Sequence, residues 1–418
     1  MRRWVVPTLL CCSILTLGGV SARAEEPLTI ETAYALALKR SETIAIQQAV
    51  LEEAEGRFVQ AISGILPRVS FSSSDKRQDG SGNSAFTLRH VPERKFVFSQ
   101  PLFSGFKEFA VMAGSRAERR QRTYEKTRAE HLLLIDVVDA FYFLYQHRRD
   151  LQAAETTRAA LVERMDELHQ REQLGRTRRS EVASAEAQLR RIEADMEEVR
   201  SQETLARQLL EFLTGLPHIE ALAETDGPMP DLQGEDVYVA QSASRPDVRA
   251  ANEAWEVAKH EVTVARATFW PTVDVGANYY IDRAGVAEDI KWDATLTVDV
   301  PLFQGGQTVG AVKEAQAHAK EEALRFQEAN RRAALETRNA FTELQTALRK
   351  REAFAKALQA TEESYRLQAE DYRLSLVNNL DVLQALQALE DVRRDFISAD
   401  TDVQQRYWAL QVATGHTL

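Results

Sequence analysis

The sequence predicts a mainly α-helical fold that carries a smaller membrane β-barrel part and consists of one structural unit repeated twice. Three observations predict this fold: a motif that recurs at a fixed distance, long proline-free stretches rich in helix-forming residues, and short segments in which apolar and polar residues alternate. Each unit is expected to run helix, strand, strand, helix, helix, with long coiled-coil-like helices.

The repeat is clearest in a five-residue motif. Residues 101–105 read Pro-Leu-Phe-Ser-Gly and residues 301–305 read Pro-Leu-Phe-Gln-Gly, an offset of 200. Further matches at this offset follow the motif, and upstream of it the offset becomes 204. Self-similarity at a fixed period indicates an architecture built by duplication. We therefore predict a first repeat over residues 25–225 and a second over residues 226–418, together forming one domain.

Residues 1–24 are predicted to form a secretory signal peptide. Arginines follow the first methionine, an apolar run covers residues 5–20, and Ala22-Arg23-Ala24 is a small-x-small cleavage site. An uncleaved membrane anchor is the alternative. Both cysteines, Cys11 and Cys12, lie in this segment, so the mature chain would offer no thiol for a disulfide, for catalysis or for metal binding.

The charge and motif content of the chain exclude several classes of function. The formal net charge is −11, and loss of the three arginines in the signal segment would make it −14. Nucleic-acid binding requires a basic face, so no nucleic-acid partner is predicted. The eight histidines lack a metal-binding spacing, and no glycine-rich phosphate loop is present. We therefore predict no catalytic residue, no metal site and no cofactor.

Long helices are predicted for two stretches. No proline occurs between Leu102 and Leu216 or after Pro301, and these stretches are rich in strong helix formers. Each contains an apolar seam with heptad spacing, which indicates helices packed lengthwise, although a soluble coiled coil would show the same pattern. The seams are Ala185, Leu189, Ile192, Met196, Val199, Ala206, Leu210 and Leu213 in the first repeat and Ala385, Leu389, Val392, Phe396, Ala399, Val403, Leu410 and Ala413 in the second. Turns near residues 175–180 and 375–380 are expected to split each stretch into two helices.

Short segments with alternating apolar and polar residues predict the strands. They lie near residues 67–74, 94–101, 271–280 and 292–301. Such strands fit a membrane barrel with one face toward lipid, and they also fit the edge of a soluble sheet. In a barrel the polar set is expected to face water, and it comprises Asp274, Asn278, Thr295, Thr297 and Asp299. The apolar set is expected to face lipid, and it comprises Val273, Val275, Leu296, Val298, Phe96 and Phe98.

The predicted strands are too few to close a barrel within one chain. Open edges in lipid would leave backbone groups unpaired at a cost of several kcal/mol each. Bacterial barrels start at about 8 strands, so the chain is expected to assemble with copies of itself. Two copies would supply about 8 strands and three copies about 12.

Several short motifs stand in a fixed order along the chain. They are Leu28-Thr29-Ile30-Glu31, Arg245-Pro246-Asp247-Val248, the doubled Pro-Leu-Phe-x-Gly, and Asp381-Val382-Leu383-x-Ala385. In this order and spacing they resemble the TolC-like outer membrane efflux protein family, over essentially all of residues 25–418.

The resemblance implies a homotrimer with defined partners. In this family three chains form one barrel of about 12 strands among the lipids of the cell outer membrane, continued by a helical tunnel across the periplasm. The tunnel meets a periplasmic adaptor protein and an inner-membrane pump of the RND or ABC type. We therefore expect a passive channel subunit of a tripartite efflux or type I secretion system, without enzymatic activity. A soluble periplasmic coiled-coil scaffold or adaptor protein is the alternative.

The resemblance also places the periplasmic tip of the tunnel at the two helix turns. In the family this tip is narrowed by acidic residues and held shut by polar links between helices. Asp381 matches one acidic position, Gln384 occupies a second, and Tyr372 matches a tyrosine of the closing links. Ser180 and Glu181 occupy the partner positions in the first repeat. These five residues form the predicted constriction, although Asp381 could instead be a helix N-cap.

Two further groups of residues are expected to have structural or binding roles. The turns are expected to contact the adaptor through Gly175, Arg176, Arg178, Arg179, Asn378 and Asn379. The arginines among them could dock to an acidic adaptor or could form an ordinary solvated turn. The joints between strand and helix are expected at Pro101, Gly105, Pro301 and Gly305, where glycine allows the chain to bend.

Overall fold

The fold is described by a computed structural model that covers residues 27–223 and 232–417. The predicted signal peptide, residues 1–24, lies outside the described residues, as does the predicted boundary between the repeats at residues 225 and 226. Among the described residues no helix is both long enough and apolar enough to cross a membrane.

The described helices and strands run through the same order twice. The helices are α1 Ile30–Arg40, α2 Glu42–Ser63, α3 Lys107–Gln173, α4 Arg179–Thr214, α5 Glu235–Ser242, α6 Pro246–Ala267, α7 Gln307–Arg373 and α8 Asn379–Ala413. The strands are β1 Arg68–Arg77, β2 His90–Ser104, β3 Thr272–Arg283 and β4 Trp292–Asp299. The order α2-β1-β2-α3-α4 recurs as α6-β3-β4-α7-α8, which confirms the predicted duplicated fold.

Helices α3 and α7 set the length of the molecule. Each has 67 residues, which corresponds to about 100 Å. They begin 200 residues apart, at Lys107 and Gln307, and they end 200 residues apart, at Gln173 and Arg373. The two copies therefore reach the same level at the end where the helices turn.

The helices pack side by side into a wall. In the half that carries the helix turns, the order across the wall is α4, α3, α8, α7, and α4 also contacts α8 near the turns. In the half that carries the strands, the order is α2, α3, α6, α7. Helix α7 therefore lies at one edge of the wall throughout, and α2 and α4 share the other edge. Helix α1 packs on α3 and α4, and α5 packs on α7.

The heptad seams hold each pair of long helices together. The first seam is buried along α4 from Ala185 to Leu210, and near the turn it packs on Leu161 and Leu168 of α3. The second seam is less completely covered, since Phe396 of α8 is only half-buried.

The strands form one antiparallel sheet in the order β1-β2-β3-β4. Its register agrees with the predicted alternation, because Val275 pairs with Leu296 on one face and Asp274 pairs with Thr297 on the other. Strand β2 is longer than predicted because it has a partner strand on both sides. Among the described residues strand β4 has a partner on one side only, and it ends two residues before its predicted end.

The joints between strand and helix differ in the two repeats. Pro101 lies inside β2 at a shift in its pairing with β3, because proline has no N–H to donate to a neighbouring strand. Pro301 instead follows the end of β4. Gly105 and Gly305 have φ values of 65° and 59°, a left-handed conformation that glycine adopts without strain.

The start of α6 is anchored by a buried arginine. The side chain of Arg245 is 1 % exposed and donates hydrogen bonds to Asp247 at 2.6 Å and to Glu336 of α7 at 2.8 Å. A buried guanidinium of this kind requires acidic partners, so the ion pairs fix α6 against α7. The Arg-Pro-Asp-Val motif therefore has a structural role at this junction.

Two buried carboxylates lie where the first repeat meets the second. Asp150 of α3 and Glu390 of α8 are 5 % and 3 % exposed, and each has one oxygen without a hydrogen-bond partner. The hydroxyl of Thr157 donates to the other oxygen of Glu390 at 2.5 Å. Burial raises the pKa of Asp150 from 3.8 to about 6, and Arg394 opposes this shift.

We predict that Asp150→Asn stabilises the protein at neutral pH. The folded chain holds the Asp150 proton up to about pH 6 and the unfolded chain releases it near pH 3.8, so stability is lost as the pH rises through this window. At pH 7.5 the substitution should raise the free energy of unfolding by about 2–3 kcal/mol, and at pH 4 the gain should be near zero. Urea unfolding of the detergent-solubilised protein at both pH values measures this difference.

Asp391→Asn is the matched control, because Asp391 of α8 lines the same groove as Asp150 but is exposed to solvent. It should change stability by less than about 0.5 kcal/mol at either pH. An equal gain from Asp150→Asn at pH 7.5 and pH 4 would contradict the idea that a desolvated carboxylate is the cause.

Candidate functional site at the helix turns

The candidate site lies at the end of the wall that is farthest from the strands. Residues 174–178 connect α3 to α4, and residues 374–378 connect α7 to α8. Both turns pass through a left-handed residue, Gly175 with φ 67° and Ser375 with φ 62°. Serine reaches this conformation at a steric cost that glycine avoids, so surrounding contacts must hold the second turn in place.

The second turn is fixed by a capping box. The side chain of Asn378 accepts a hydrogen bond from the N–H of Asp381 at 3.2 Å, and the Asp381 carboxylate accepts one from the N–H of Asn378 at 3.0 Å. Asp381 is therefore not the N-cap itself but the third helical residue of the box. The first turn has Arg178 at the N-cap, without a side-chain cap, and the Thr177 hydroxyl donates to Glu181 at 2.8 Å.

Tyr372 is clamped between two arginines of the other repeat. Its side chain is buried, and the guanidinium carbons of Arg164 and Arg171 lie 3.6 Å and 4.6 Å from the ring centre. A guanidinium over an aromatic face is attracted by the ring quadrupole, more strongly when both groups are removed from water. Helix α7 is thereby tied to α3 just before the two turns.

Asn379 completes a polar cluster that joins all four long helices. Its side-chain oxygen accepts a hydrogen bond from Nε of Arg164 at 2.9 Å, and its amide nitrogen donates to the backbone carbonyl of Glu181 at 3.4 Å. We call Arg164, Tyr372, Asn379 and Glu181 the tip hub. Arg164 lies on α3, Glu181 on α4, Tyr372 on α7 and Asn379 on α8, so this cluster couples the two turns.

The buried position of Asn379 corrects one sequence-based expectation. Asn379 is 1 % exposed, so its side chain is not available to an adaptor while the hub is intact. It was expected at the surface because it follows a turn, but it is the first residue of α8 and lies between α8 and α3.

The other predicted site residues lie where a partner or a pore could reach them. The exposed ones are Gly175, Arg176, Arg178, Arg179, Ser180, Asn378 and Gln384. Glu181 and Asp381 are half-buried. Exposed leucines flank the turns and were not singled out in the sequence: Leu174, Leu374, Leu376 and Leu380.

Arg164 was also missed by the sequence analysis. It lies well before the turn, among many charged residues of a long helix, where an arginine is usually a solvated surface residue. The signal that could have found it is the mismatch between the copies, because the second repeat has Ser364 at this position and the first has Glu172 where the second has Tyr372.

We predict that Arg164→Ala loosens both turns together. The substitution removes the ring contact with Tyr372 and the hydrogen bond to Asn379, and it should lower protection against hydrogen exchange at residues 174–181 and 374–381 by about tenfold or more. Hydrogen–deuterium exchange followed by mass spectrometry measures this change. Arg158→Ala, which removes an exposed pair with Glu193, is the control and should leave both turns unchanged. A loss of protection confined to residues 174–181 would contradict the coupling.

Comparisons with known proteins identify a matching family profile and relatives that are similar in sequence. The profile of the family described as outer membrane efflux protein matches residues 237–416. The chain is 21% identical over 413 residues to the outer membrane efflux protein BepC of Brucella suis, which covers 97% of this chain and 90% of BepC. It is 22% identical over 407 residues to the alkaline protease secretion protein AprF of Pseudomonas aeruginosa, which covers 89% of this chain and 83% of AprF.

A solved structure has the same fold. The crystal structure of CusC matches with a TM-score of 0.83 at 16% identity, over 93% of this chain and 92% of CusC. The relatives by sequence and by structure thus agree over nearly the whole chain, and BepC is described as an outer membrane efflux protein and CusC as a protein that forms a transmembrane channel. The chain is thus similar along nearly its whole length to the TolC-like outer membrane efflux proteins, whose family profile matches residues 237–416.

Proposed function

We propose that three copies of this chain form a passive conduit through the cell outer membrane, in a tripartite efflux or type I secretion system. The sheets of three copies form one barrel, and the helical walls form a tunnel in the periplasm. The two repeats of each chain act as one domain. The single observation that carries this proposal is that both the sheet and the wall end in open edges on both sides.

The sheet requires further strands at both edges. Within residues 27–223 and 232–417, strands β1 and β4 each have a partner strand on one side only. Unpaired backbone groups at an edge cost several kcal/mol each in lipid, and four strands are below the smallest bacterial barrels. Pairing of β4 of one protomer with β1 of its partner removes these edges without any change within the subunit.

The two faces of the sheet suit lipid on one side and water on the other. The apolar face leaves Phe71, Trp292 and Leu296 more than half exposed, at 55%, 68% and 63%. On the polar face the carboxylate of Asp293 accepts hydrogen bonds from Asn278 and from the Tyr280 hydroxyl, both at 2.8 Å. A periplasmic scaffold would have no need of a wide apolar face, which is why the alternative is disfavoured.

The joints at the glycines also indicate that copies close on one another. A Cβ at Gly105 would lie 2.7 Å from the carbonyl oxygen of Ala267 and 2.8 Å from Cβ of Trp270, so α3 packs tightly on the end of α6. A Cβ at Gly305 would meet nothing within 4 Å. At the offset of 204 the equivalents of Ala267 and Trp270 lie at the end of α2, so a partner's α2 fits the empty place beside Gly305.

Oligomeric state and conductance test the conduit together. Detergent-solubilised protein should be a trimer by light scattering and should give stable ion conductance in a planar lipid bilayer. Phe71→Lys on the lipid face should reduce assembled channels, since a lysine there costs about 2–4 kcal/mol at the bilayer midplane, whereas Ser70→Lys on the polar face, opposite Val97, should be tolerated. A monodisperse monomer without conductance, recovered with soluble periplasmic proteins, would overturn the proposal in favour of the scaffold.

The two turns form the periplasmic tip in this proposal. Tyr372 and Glu181 hold the closed state through the hub, and Ser180, Asp381 and Gln384 line the constriction. The exposed Arg176 and Arg178, with Gly175 and Asn378, face the periplasmic adaptor, and an inner-membrane pump drives transport. The chain itself carries out no chemical reaction.

Reversal of the exposed turn charges tests the adaptor contact. Arg176→Glu with Arg178→Glu should lower the amount of adaptor recovered after crosslinking in the protein's own cells by about tenfold, because opposite charges across an interface become like charges. Arg190→Glu with Arg191→Glu is the control, since both residues are exposed on α4 away from the turn. Unchanged adaptor recovery with the turn variant would refute docking through these arginines.

A further inference from the structure

We propose that Arg179 of one protomer forms an ion pair with Asp381 of its partner and that this pair closes the tip between subunits. The inference rests on the proposed trimer. It reassigns Arg179 from the adaptor surface to the joint between protomers. It also gives Asp381 a specific partner.

The α3–α4 hairpin and the α7–α8 hairpin are equivalent in sequence position. Helices α3 and α7 share both ends at an offset of 200, and α4 and α8 begin at Arg179 and Asn379, again 200 apart. The order across the wall is α4, α3, α8, α7, so the contact of α3 with α8 joins the first hairpin to the second. In a closed ring the same kind of joint recurs between α7 of one protomer and α4 of its partner.

The joint between protomers has residues equivalent to those of the tip hub. Within the subunit, Asn379 of α8 bonds to Arg164 of α3 and to the carbonyl of Glu181. At the offset of 200, Asn379 corresponds to Arg179, Arg164 to Ser364 and Glu181 to Asp381. Arg179 of one protomer is therefore brought to Ser364 and Asp381 of its partner.

Arg179 is exposed, and Asp381 uses only one of its two carboxylate oxygens in the capping box. Arg179 and Ser364 are exposed in the subunit, and within residues 27–223 and 232–417 Arg179 makes no ion pair. Asp381 is held in place by its capping box with Asn378, which fixes the direction of its carboxylate. A guanidinium and a carboxylate at this joint are complementary, whereas the subunit joint has a neutral amide in the place of Arg179.

The same transfer shows which joint is weaker. Within the subunit Arg171 and Arg164 contact the ring of Tyr372. At the joint between subunits, Asp371 takes the place of Arg171, Ser364 that of Arg164, and Glu172 that of Tyr372. Two acids replace an arginine and an aromatic ring, so this part of the joint is repulsive. The Arg179–Asp381 pair is then the attraction that keeps adjacent protomers together at the tip.

Disulfide crosslinking tests the placement. Both native cysteines lie at positions 11 and 12, within the predicted signal peptide, so introduced cysteines have no competitors in the mature chain. Arg179→Cys with Asp381→Cys should give covalent dimers and trimers on oxidation. The control Glu181→Cys with Asn379→Cys sits at the equivalent joint within the subunit and should remain monomeric in non-reducing gels. If the protein with both Arg179→Cys and Asp381→Cys is a trimer but forms no disulfide between subunits, the proposal is overturned.

Charge exchange tests the closing role in planar bilayers. Arg179→Asp or Asp381→Arg alone should raise the open fraction about tenfold, because three pairs are lost at once, and the double variant should return it toward the wild-type value. Arg178→Asp is the control in the same turn and should not be rescued by Asp381→Arg. Wild-type protein that neither trimerises nor conducts refutes the conduit itself, whereas a conducting wild type with no rescue in the double variant refutes only the ion pair.

Discussion

The structure depends on one constraint, which is that no backbone N–H or C=O group can stay unpaired in lipid. The four-stranded sheet of a single chain has two open edges and therefore violates this constraint. It satisfies the constraint only in a closed ring of copies. Because each helix of the wall continues from a strand or returns toward one, closure of the sheet also dictates closure of the wall. In the proposed conduit the edges at α7 and at α2 and α4 are therefore subunit interfaces and not free surfaces.

Equal length of the two long helices follows from the same ring. Helices α3 and α7 both have 67 residues, so their turns end at one level, whereas the loops between the strands differ in length. A difference of one turn would move one hairpin by about 5.4 Å and would leave half of the tip open. Length in this protein is thus a functional property, whereas the polar loops between strands are free to vary.

Architecture was predictable from the sequence and the tip only in part. Heptad and period-two patterns predicted helices, strands and faces because burial acts along the whole of each element. Gly175 and Asn378 marked the turns because backbone conformation is local. Arg164 could not be found this way, since its contact with Asn379 joins residues 215 positions apart in the sequence. Asn379 was misplaced because burial at a helix start depends on the neighbouring helix and not on the turn.

The mismatch between Arg164 and Ser364 has a consequence for symmetry. In a ring of six identical hairpins all joints would be the same and would loosen together. Each joint would then have to be stable enough for assembly and weak enough for opening. In the proposed trimer, a duplicated chain lowers the symmetry from sixfold to threefold and divides the joints into two kinds. Joints within a chain form at any concentration, as part of folding, whereas joints between chains form only on assembly. Mutations at the joints between chains can therefore change the opening of the tip without weakening the joints within a chain.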